Sequence, residues 1–352
     1  MTNKCKILIA YHRPAYLLKS NFFYPIHVGR DIALAKSKDG SLSVNDMNWL
    51  EQNMPGDNTG DNISTLNRYY SELTALYWAW KNYDQLGNPE YIGLMQYRRH
   101  FILDETILKN HTNTDIEDCY SILEFNYTPE NYEALIGLND NNIENTLKEY
   151  DFVTVKECDF SYIGVKNVKE DYVKNIPGVK EKDYDIMLEI VSKKYPKMRT
   201  YLQHQLDSTK TYLYQMFILP KDEFFKYMEF LFGVLSEIQE RVDFSDYTIN
   251  GQRTLGYLGE KLFDCYIRYL HSETNLKHKE LQTSLIYCNH TLDKLKKLEQ
   301  SLNKLRVKKI LYKIRYKLTF SKKRKIIKGQ YLEQKKLIRL IKNMKKGNIL
   351  CN

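Results

Sequence analysis

Two short basic segments follow two of the apolar runs in the first hundred residues. Tyr97-Arg98-Arg99 comes after the run 91–95, and His12-Arg13 comes after the run 7–11. A guanidinium group matches phosphate oxygens bidentately and stays charged at any relevant pH. Adjacent arginines at the end of a buried strand also need an anion, because an unpaired buried charge is costly. The pattern therefore predicts an anion-binding site.

The surrounding pattern predicts an α/β unit that positions these segments. The runs 7–11 and 91–95 are typical of buried parallel strands, and apolar spacing predicts a helix over about 67–82 between them. In open α/β sheets, ligands bind beyond the carboxyl ends of the strands. Tyr11, His12 and Arg13 are thus expected to meet a ligand, the alternative being an ordinary polar strand exit.

The rest of the body continues the mixed pattern. We expect strands over 151–155 and 212–219, and helices over 183–195, 221–241 and from about residue 252. Residues 102–149 have weaker periodicity and are interpreted as an insertion of loops and short helices. The expected division is a catalytic domain over 1–292, with the insertion 102–149, and a basic helical tail over 293–352.

Charge is distributed unevenly along the chain. The net charge is +9, yet residues 301–352 hold eighteen Lys or Arg against Glu333 alone, which leaves residues 1–300 net acidic. A basic amphipathic tail favours an anionic membrane surface, with a solvated tail or nucleic-acid binding as alternatives. No apolar stretch approaches the length of a spanning helix, no signal peptide is evident, and the six cysteines form neither a metal motif nor a disulfide framework. These features predict a protein on the cytoplasmic side of the membrane.

A dense set of motifs runs through about residues 5–101 and 150–270. The motifs are Ile9-Ala10-Tyr11-His12, Pro25-Ile26-His27-Val28-Gly29-Arg30, Gly60-Asp61-Asn62-Ile63-Ser64, 70–82, 91–99, Tyr214-Gln215-Met216-Phe217-Ile218, Gln252-Arg253, 256–258 and 260–262. Together they resemble one bacterial family, found in capsule and exopolysaccharide gene sets and catalogued as a domain of unknown function. Gln96 stands where the family usually has histidine, and Gln215 where it usually has asparagine.

The resemblance implies a glycosyltransferase with a GT-A-like fold, namely a mixed, mostly parallel sheet flanked by helices. It implies a UDP-sugar donor, with galactopyranose or galactofuranose favoured, and a polyprenyl-diphosphate-linked glycan acceptor of surface-polysaccharide synthesis. With the basic tail 301–352, it implies a peripheral protein on the inner face of the cell membrane and no nucleic-acid partner. The rival interpretation is a non-catalytic protein that binds polysaccharide, or nucleic acid through the tail.

We expect the negative charge of the leaving diphosphate to be stabilised without a metal ion. Most GT-A enzymes hold a divalent metal with Asp-x-Asp at a strand end, where it neutralises the leaving diphosphate. The one such match, Asp183-Tyr184-Asp185, precedes a predicted helix and is better explained as an N-terminal cap. We expect Arg98 or Arg99, with Arg30, to replace the metal, although Mn²⁺ or Mg²⁺ stays an alternative.

The remaining candidates each have two interpretations. Glu72 is a general base or a buried partner of an arginine, and Glu260 is a base for the acceptor hydroxyl or a satisfied core acid. Asp61 and Asn62 bind sugar hydroxyls or cap a helix. The other candidates for the donor site are His12, His27, Tyr97, Gln215, Gln252 and Arg253. No P-loop, nucleophile elbow or dinucleotide-binding glycine motif is present.

Overall fold

The computed structural model describes most of the chain. The residues described are 4–37, 40–107, 123–125, 128, 131–286 and, near the C-terminus, 306, 307, 309–311, 313 and 335. The chain forms two compact units, Met1–Leu123 with Glu133–Ser284, and Glu124–Tyr132 with Leu285–Asn352. The predicted boundary at residue 292 and almost all of the predicted basic tail lie outside the described residues.

The strands begin and end as follows: β1 Cys5–Tyr11, β2 Phe23–His27, β3 Tyr91–Gln96, β4 Arg99–Phe101, β5 Leu123–Phe125, β6 Phe152–Val155, β7 Cys158–Asp159, β8 Lys210–Thr211, β9 Phe217–Pro220, β10 His278–Leu281 and β11 Thr283–Ile286. Strand β1 lies between β2 and β3 and is parallel to both. Strand β9 is antiparallel to β3 and β6, and β10 is parallel to β6. The predicted α/β class with a mixed, mostly parallel sheet is therefore confirmed.

The central strands are buried on both faces, as continuous apolar runs require. Ile7, Leu8 and Ile9 of β1 and Leu94 of β3 are almost completely inaccessible to solvent. Gly93 of β3 has a specific steric role, because a Cβ atom at this position would lie 2.5 Å from the carbonyl oxygen of Phe217 in β9. A glycine here permits the close approach of the two strands.

The helices are α1 Val44–Asn53, α2 Asn67–Tyr70, α3 Leu73–Lys81, α4 Tyr132–Leu135, α5 Asp140–Glu149, α6 Val168–Asn175, α7 Glu181–Lys194, α8 Arg199–Asp207, α9 Lys221–Arg241 and α10 Thr254–Glu273. The predicted helix over 221–241 is confirmed, and Phe224, Met228, Leu231 and Leu235 form its buried face at helical spacing. Helices α3, α9 and α10 share one hydrophobic core with the central strands. Among the described residues, no helix is long and apolar enough to cross a membrane.

Residues with positive φ angles interrupt two of the predicted elements. The predicted helix over 67–82 is interrupted at Ser71, whose φ of 54° and ψ of −133° separate α2 from α3. The predicted strand over 212–219 is confirmed only from Phe217, because Tyr214 and Gln215 have φ values of 65° and 51°. Such left-handed conformations are uncommon outside glycine and interrupt regular structure.

The cysteines described by the structure differ in state. Cys5 and Cys265 are buried thiols, and burial raises the pKa of both well above the ordinary value. Cys158 is disulfide-bonded, which the spacing of the cysteines in the sequence did not indicate.

Candidate active site

A pocket of about 440 Å³ lies at the carboxyl ends of the three parallel strands β1, β2 and β3. Its walls include His12 and Arg13 after β1, Gly29 after β2, and the segment 96–99 at the end of β3. The structure thus brings together the two basic segments that the sequence placed at strand ends. The location follows the rule that ligands bind at this edge of an α/β sheet.

Arginine is the dominant charged residue of this pocket. Five arginines line it, and they are Arg13, Arg68, Arg98, Arg99 and Arg253. The charged residues that oppose them in the lining are two glutamates, Glu72 and Glu260. The pocket is therefore formally cationic, whereas residues 1–300 as a whole are net acidic. Such a concentration of fixed positive charge suits an anionic ligand.

The guanidinium group of Arg99 is held from two sides. Its Nη1 donates to Oε1 of Gln96 at 3.0 Å, and the group lies 4.1 Å from the ring centroid of Tyr214. The Nε atom of Arg99 is buried and has no hydrogen-bond partner within the described part of the chain. A guanidinium that is fixed in place but incompletely paired is suited to receive an anion. Arg98 lies 5.6 Å from the ring centroid of Tyr97.

Arg253 approaches the pocket from the start of α10. Its Nε donates to Oγ of Ser71 at 3.0 Å, and its Nη1 donates to the hydroxyl of Tyr257 at 3.1 Å. The Tyr257 hydroxyl in turn donates to Oδ1 of Asn250 at 3.1 Å. The partners of Arg253 named here are neutral, so its positive charge stays available to a ligand.

The two glutamates reach the pocket from different helices. Glu72 precedes α3, directly after the interruption at Ser71, and Glu260 lies in α10. Burial raises the pKa of Glu260, and the Glu72 carboxylate acts in the same direction. Lys261, Arg99 and Arg253 oppose this shift by stabilising the charged form. A half-buried carboxylate with a raised pKa has the properties of a general base.

The histidines near the pocket differ in their surroundings. The ring of His12 meets the ring of Tyr97 edge to face, with centroids 4.8 Å apart. Nδ1 of His27 accepts a hydrogen bond of 2.7 Å from Nε of Arg30. Burial, reinforced by the Arg30 guanidinium, lowers the pKa of His27 to about 4. His27 is therefore neutral at physiological pH and acts as an acceptor for Arg30.

Three candidates on the donor side lie outside the pocket lining. Arg30 is directed at His27 and donates through Nη2 to the carbonyl of Met54 at 2.9 Å. Tyr11 is fully buried, and its hydroxyl donates to the carbonyl of Tyr16 at 2.7 Å. Asn62 accepts from the Ser64 amide at 3.1 Å, which is a local turn and not the helix cap that the sequence left as an alternative, because the short helix that begins at Ser64 has no side-chain cap.

The other three candidates outside the lining are Asp61, Gln215 and Gln252. Asp61 is exposed and accepts a hydrogen bond of 3.2 Å from the hydroxyl of Tyr77. Gln215 is fully buried and donates to the carbonyl of Gly256 at 3.5 Å. Gln252 is half-buried, and its Oε1 has no partner among the described residues.

Asp57 organises one wall of the pocket, although no pattern in the sequence indicates this role. Its buried carboxylate accepts from the backbone amides of Gly29 and Arg30 at 2.7 and 3.1 Å, and from the hydroxyls of Ser64 and Thr74, each at 2.5 Å. This one side chain therefore joins the turn after β2 to the loop before α2 and to α3. Asp57 is one of several acids in an Asp- and Asn-rich loop, so its type and spacing do not distinguish it.

The Asp-x-Asp match is neither a cap nor a pair of converging ligands. Helix α7 begins at Glu181, with Lys180 at the N-cap position and no side-chain cap. The buried carboxylate of Asp183 accepts from the Tyr247 hydroxyl at 2.7 Å, whereas Asp185 forms an exposed ion pair of 2.7 Å with Lys169. In the described part of the chain, no group of three or more His, Cys, Asp or Glu is arranged to hold a metal ion.

Comparisons with known proteins bear on the fold and the family of the chain. The search of curated proteins returns no match. A solved structure described as the WbbM bifunctional glycosyltransferase in its apo form is similar over 81% of this chain, with a TM-score of 0.67 and 31% sequence identity. The chain spans 46% of the length of that protein. The fold is thus similar to that of a glycosyltransferase, as the resemblance in sequence implied.

The family match covers most of the same region. Residues 6–274 match the family described as a domain of unknown function, DUF4422. This range contains all of β1 except Cys5, strands β2 to β9, helices α1 to α10 and all the residues that line the pocket. The chain therefore belongs to the DUF4422 family.

Proposed function

We propose that this chain is a glycosyltransferase that transfers a hexose from a UDP-sugar to a lipid-linked intermediate of surface-polysaccharide synthesis. The observation that carries the proposal is the pocket beyond β1, β2 and β3, which combines five arginines with two glutamates. The similarity to WbbM, a protein described as a bifunctional glycosyltransferase, supports it.

The arginines supply the charge that a departing diphosphate needs. As the bond between the anomeric carbon and the β-phosphate oxygen breaks, UDP leaves with the electron pair and negative charge develops on the phosphate. In this proposal Arg98 and Arg99, which follow β3, bind these oxygens, and Arg253 lines the same pocket. Pre-positioned charges of this kind stabilise a transition state without reorganisation. Arginine charge thereby replaces the metal ion that most GT-A enzymes use.

Glu260 is assigned the role of general base. It accepts the proton of the acceptor hydroxyl while that oxygen attacks the anomeric carbon, so the proton lost by the acceptor is held on the Glu260 carboxylate. Its raised pKa makes it a stronger base than an ordinary glutamate. Glu72, which accepts from Nε2 of Gln96 at 3.3 Å, is assigned a fixed, charge-balancing role instead.

The finer assignments rest on the resemblance and on the basic tail. Galactopyranose or galactofuranose is the favoured sugar, and a polyprenyl-diphosphate-linked glycan is the favoured acceptor. The eighteen basic residues of 301–352 are assigned to the anionic inner surface of the cell membrane. A lipid-linked acceptor lies at that surface, so the two assignments support each other.

A stability screen against nucleotide sugars tests the proposed donor. A ligand that binds the folded state adds about 2.7 kcal/mol when present at about a hundredfold excess over its dissociation constant. We expect UDP-sugars to raise the thermal midpoint in the presence of EDTA, and Arg99→Ala to reduce the rise. Stabilisation by no UDP-sugar, or equal stabilisation of the Arg99→Ala variant, would contradict the proposal.

A further inference from the structure

The side chain of Gln96 occupies a central position beneath the pocket arginines. Gln96 is the last residue of β3, and its backbone is fixed by pairing with Ala10 in β1 and Arg99 in β4. Its Nε2 atom donates to Oε1 of Glu72 and to the carbonyl of Tyr214, each at 3.3 Å. Its Oε1 atom accepts from Nη1 of Arg99 at 3.0 Å. One amide therefore contacts an anion, a cation and a backbone carbonyl.

The chemistry of these partners allows only one orientation of the amide. A backbone carbonyl and a carboxylate can only accept, so the NH₂ group must face Tyr214 and Glu72. A guanidinium can only donate, so the amide oxygen must face Arg99. Both N–H groups and the carbonyl oxygen of Gln96 are thereby used. A residue of the same length that lacks donors, or lacks an acceptor, cannot make these contacts.

The arrangement keeps two opposite charges from neutralising each other. Glu72 and Arg99 contact the two ends of the same neutral amide, and Arg99 forms no ion pair with any carboxylate of the described residues. Its guanidinium instead lies against the Tyr214 ring, and its Nε has no hydrogen-bond partner among the residues that the structure describes. A direct ion pair with Glu72 would occupy the N–H groups that bind phosphate and would cancel the charge.

We propose that Gln96 is a positioning residue that acts as a neutral spacer between Glu72 and Arg99. It fixes the guanidinium over Tyr214 while leaving the positive charge to the diphosphate of the ligand. The inference deepens the proposed function, since the anion bound at Arg99 is there the diphosphate of the donor. The spacer role itself requires only that Arg99 binds a diphosphate, whichever molecule carries that diphosphate.

A pair of substitutions separates the spacer role from a merely structural one. Gln96→Glu keeps the length but places a negative acceptor against Arg99, so it should pair with the guanidinium and repel the ligand. Gln96→Met keeps the length and neutrality but removes the donors and the acceptor. Gln52→Glu, at an exposed position of α1 outside the pocket, is the matched control for added charge.

The probe is inorganic pyrophosphate, titrated calorimetrically into the full chain at neutral pH with EDTA. We expect Gln96→Glu to weaken pyrophosphate binding by about tenfold or more, because the new carboxylate takes the charge-assisted contact of Arg99 away from the ligand. Gln96→Met should weaken it by about threefold, because Arg99 keeps its charge and loses only the hydrogen bond that positions it. Gln52→Glu should stay within about twofold of wild type, since exposed charges at a distance are screened. Thermal midpoints of all variants establish that each is folded, and Gln96→Met carries the test if Gln96→Glu does not fold.

An Arg99→Ala background shows whether Gln96 acts through Arg99. The loss caused by the neutral Gln96→Met variant should fall to less than about twofold there, since residues that share one contact are non-additive. Gln96→Glu should keep the part of its loss that comes from repelling the ligand. Equal losses of Gln96→Met in both backgrounds, wild-type binding by both variants, or no pyrophosphate binding by the wild type would each overturn the inference. Pyrophosphate binding with the expected Gln96 dependence but without any binding of UDP-sugars would uphold the spacer and reject the proposed donor.

Discussion

At the scale of single residues, the pocket depends on how its charges are divided. Arg99 and Arg253 contact neutral partners, whereas Glu72 accepts from Gln96 and Glu260 lies in α10 with a raised pKa. Among the described contacts, Arg99 and Arg253 form no ion pair with Glu72 or Glu260, although all four line one pocket. In the proposed function these two arginines bind the anion and Glu260 accepts a proton.

The role of Glu260 predicts a defined pH dependence. A base must be deprotonated, so kcat should rise with pH through the pKa of Glu260, which lies above that of an ordinary glutamate. Glu260→Gln should lower kcat by about 10²- to 10⁴-fold and remove this acidic limb, because the amide does not take the proton. The donor KM should change little. Steady-state kinetics across pH, with the exposed Glu229→Gln as control, measure both effects.

If the acidic limb of the kcat–pH profile is unchanged in Glu260→Gln, the general base is a different residue, and Glu72 is the next candidate. A loss confined to KM would assign Glu260 to binding rather than to proton transfer.

At the scale of elements, the strands of the site were predictable and its turns were not. The runs 7–11 and 91–95 are continuous and apolar, so β1 and β3 and the basic residues after them followed from the sequence. The interruption at Ser71 did not, because serine gives no local signal for a left-handed backbone and the apolar spacing continues through it. The same reason explains the missing first half of the strand predicted over 212–219.

The turns matter because they deliver side chains to the pocket. The interruption at Ser71 places its hydroxyl against Arg253 and leads directly to Glu72. The turn at Tyr214 places a ring beneath Arg99 and a carbonyl against Gln96. Tertiary contacts made by α10 and β3 therefore decide these conformations, and no window of local sequence contains that information.

Asp57 provides a test at this scale, because it joins three elements through buried hydrogen bonds. Replacement by alanine leaves the amides of Gly29 and Arg30 without their acceptor and removes a buried charge. We expect Asp57→Ala to lower the free energy of unfolding by about 2–4 kcal/mol. The exposed Asp61→Ala should change it by less than about 0.5 kcal/mol. Urea denaturation measures both values, and equal stabilities of the two variants would refute the joining role of Asp57.

At the scale of the whole molecule, the chain has a glycosyltransferase-like α/β fold. Its basic tail predicts binding to an anionic membrane surface. Removal of residues 301–352 takes away eighteen basic residues. Each basic residue near an anionic lipid surface contributes about 1 kcal/mol of attraction. We expect the shortened chain to lose binding to vesicles containing anionic lipid while its hydrolysis of UDP-sugar is largely retained. Neutral vesicles are the control, and unchanged binding to anionic vesicles would reject the membrane role.

In the proposed mechanism, arginine charge and not a metal ion stabilises the departing diphosphate. Turnover of UDP-sugar in excess EDTA tests this mechanism most directly. We expect the wild-type chain to keep its full rate in EDTA and Arg99→Ala to lose about 10²-fold or more, which is the scale of removing one oxyanion-stabilising donor. Complete loss of wild-type turnover in EDTA, restored by Mn²⁺ or Mg²⁺, would contradict the metal-independent mechanism.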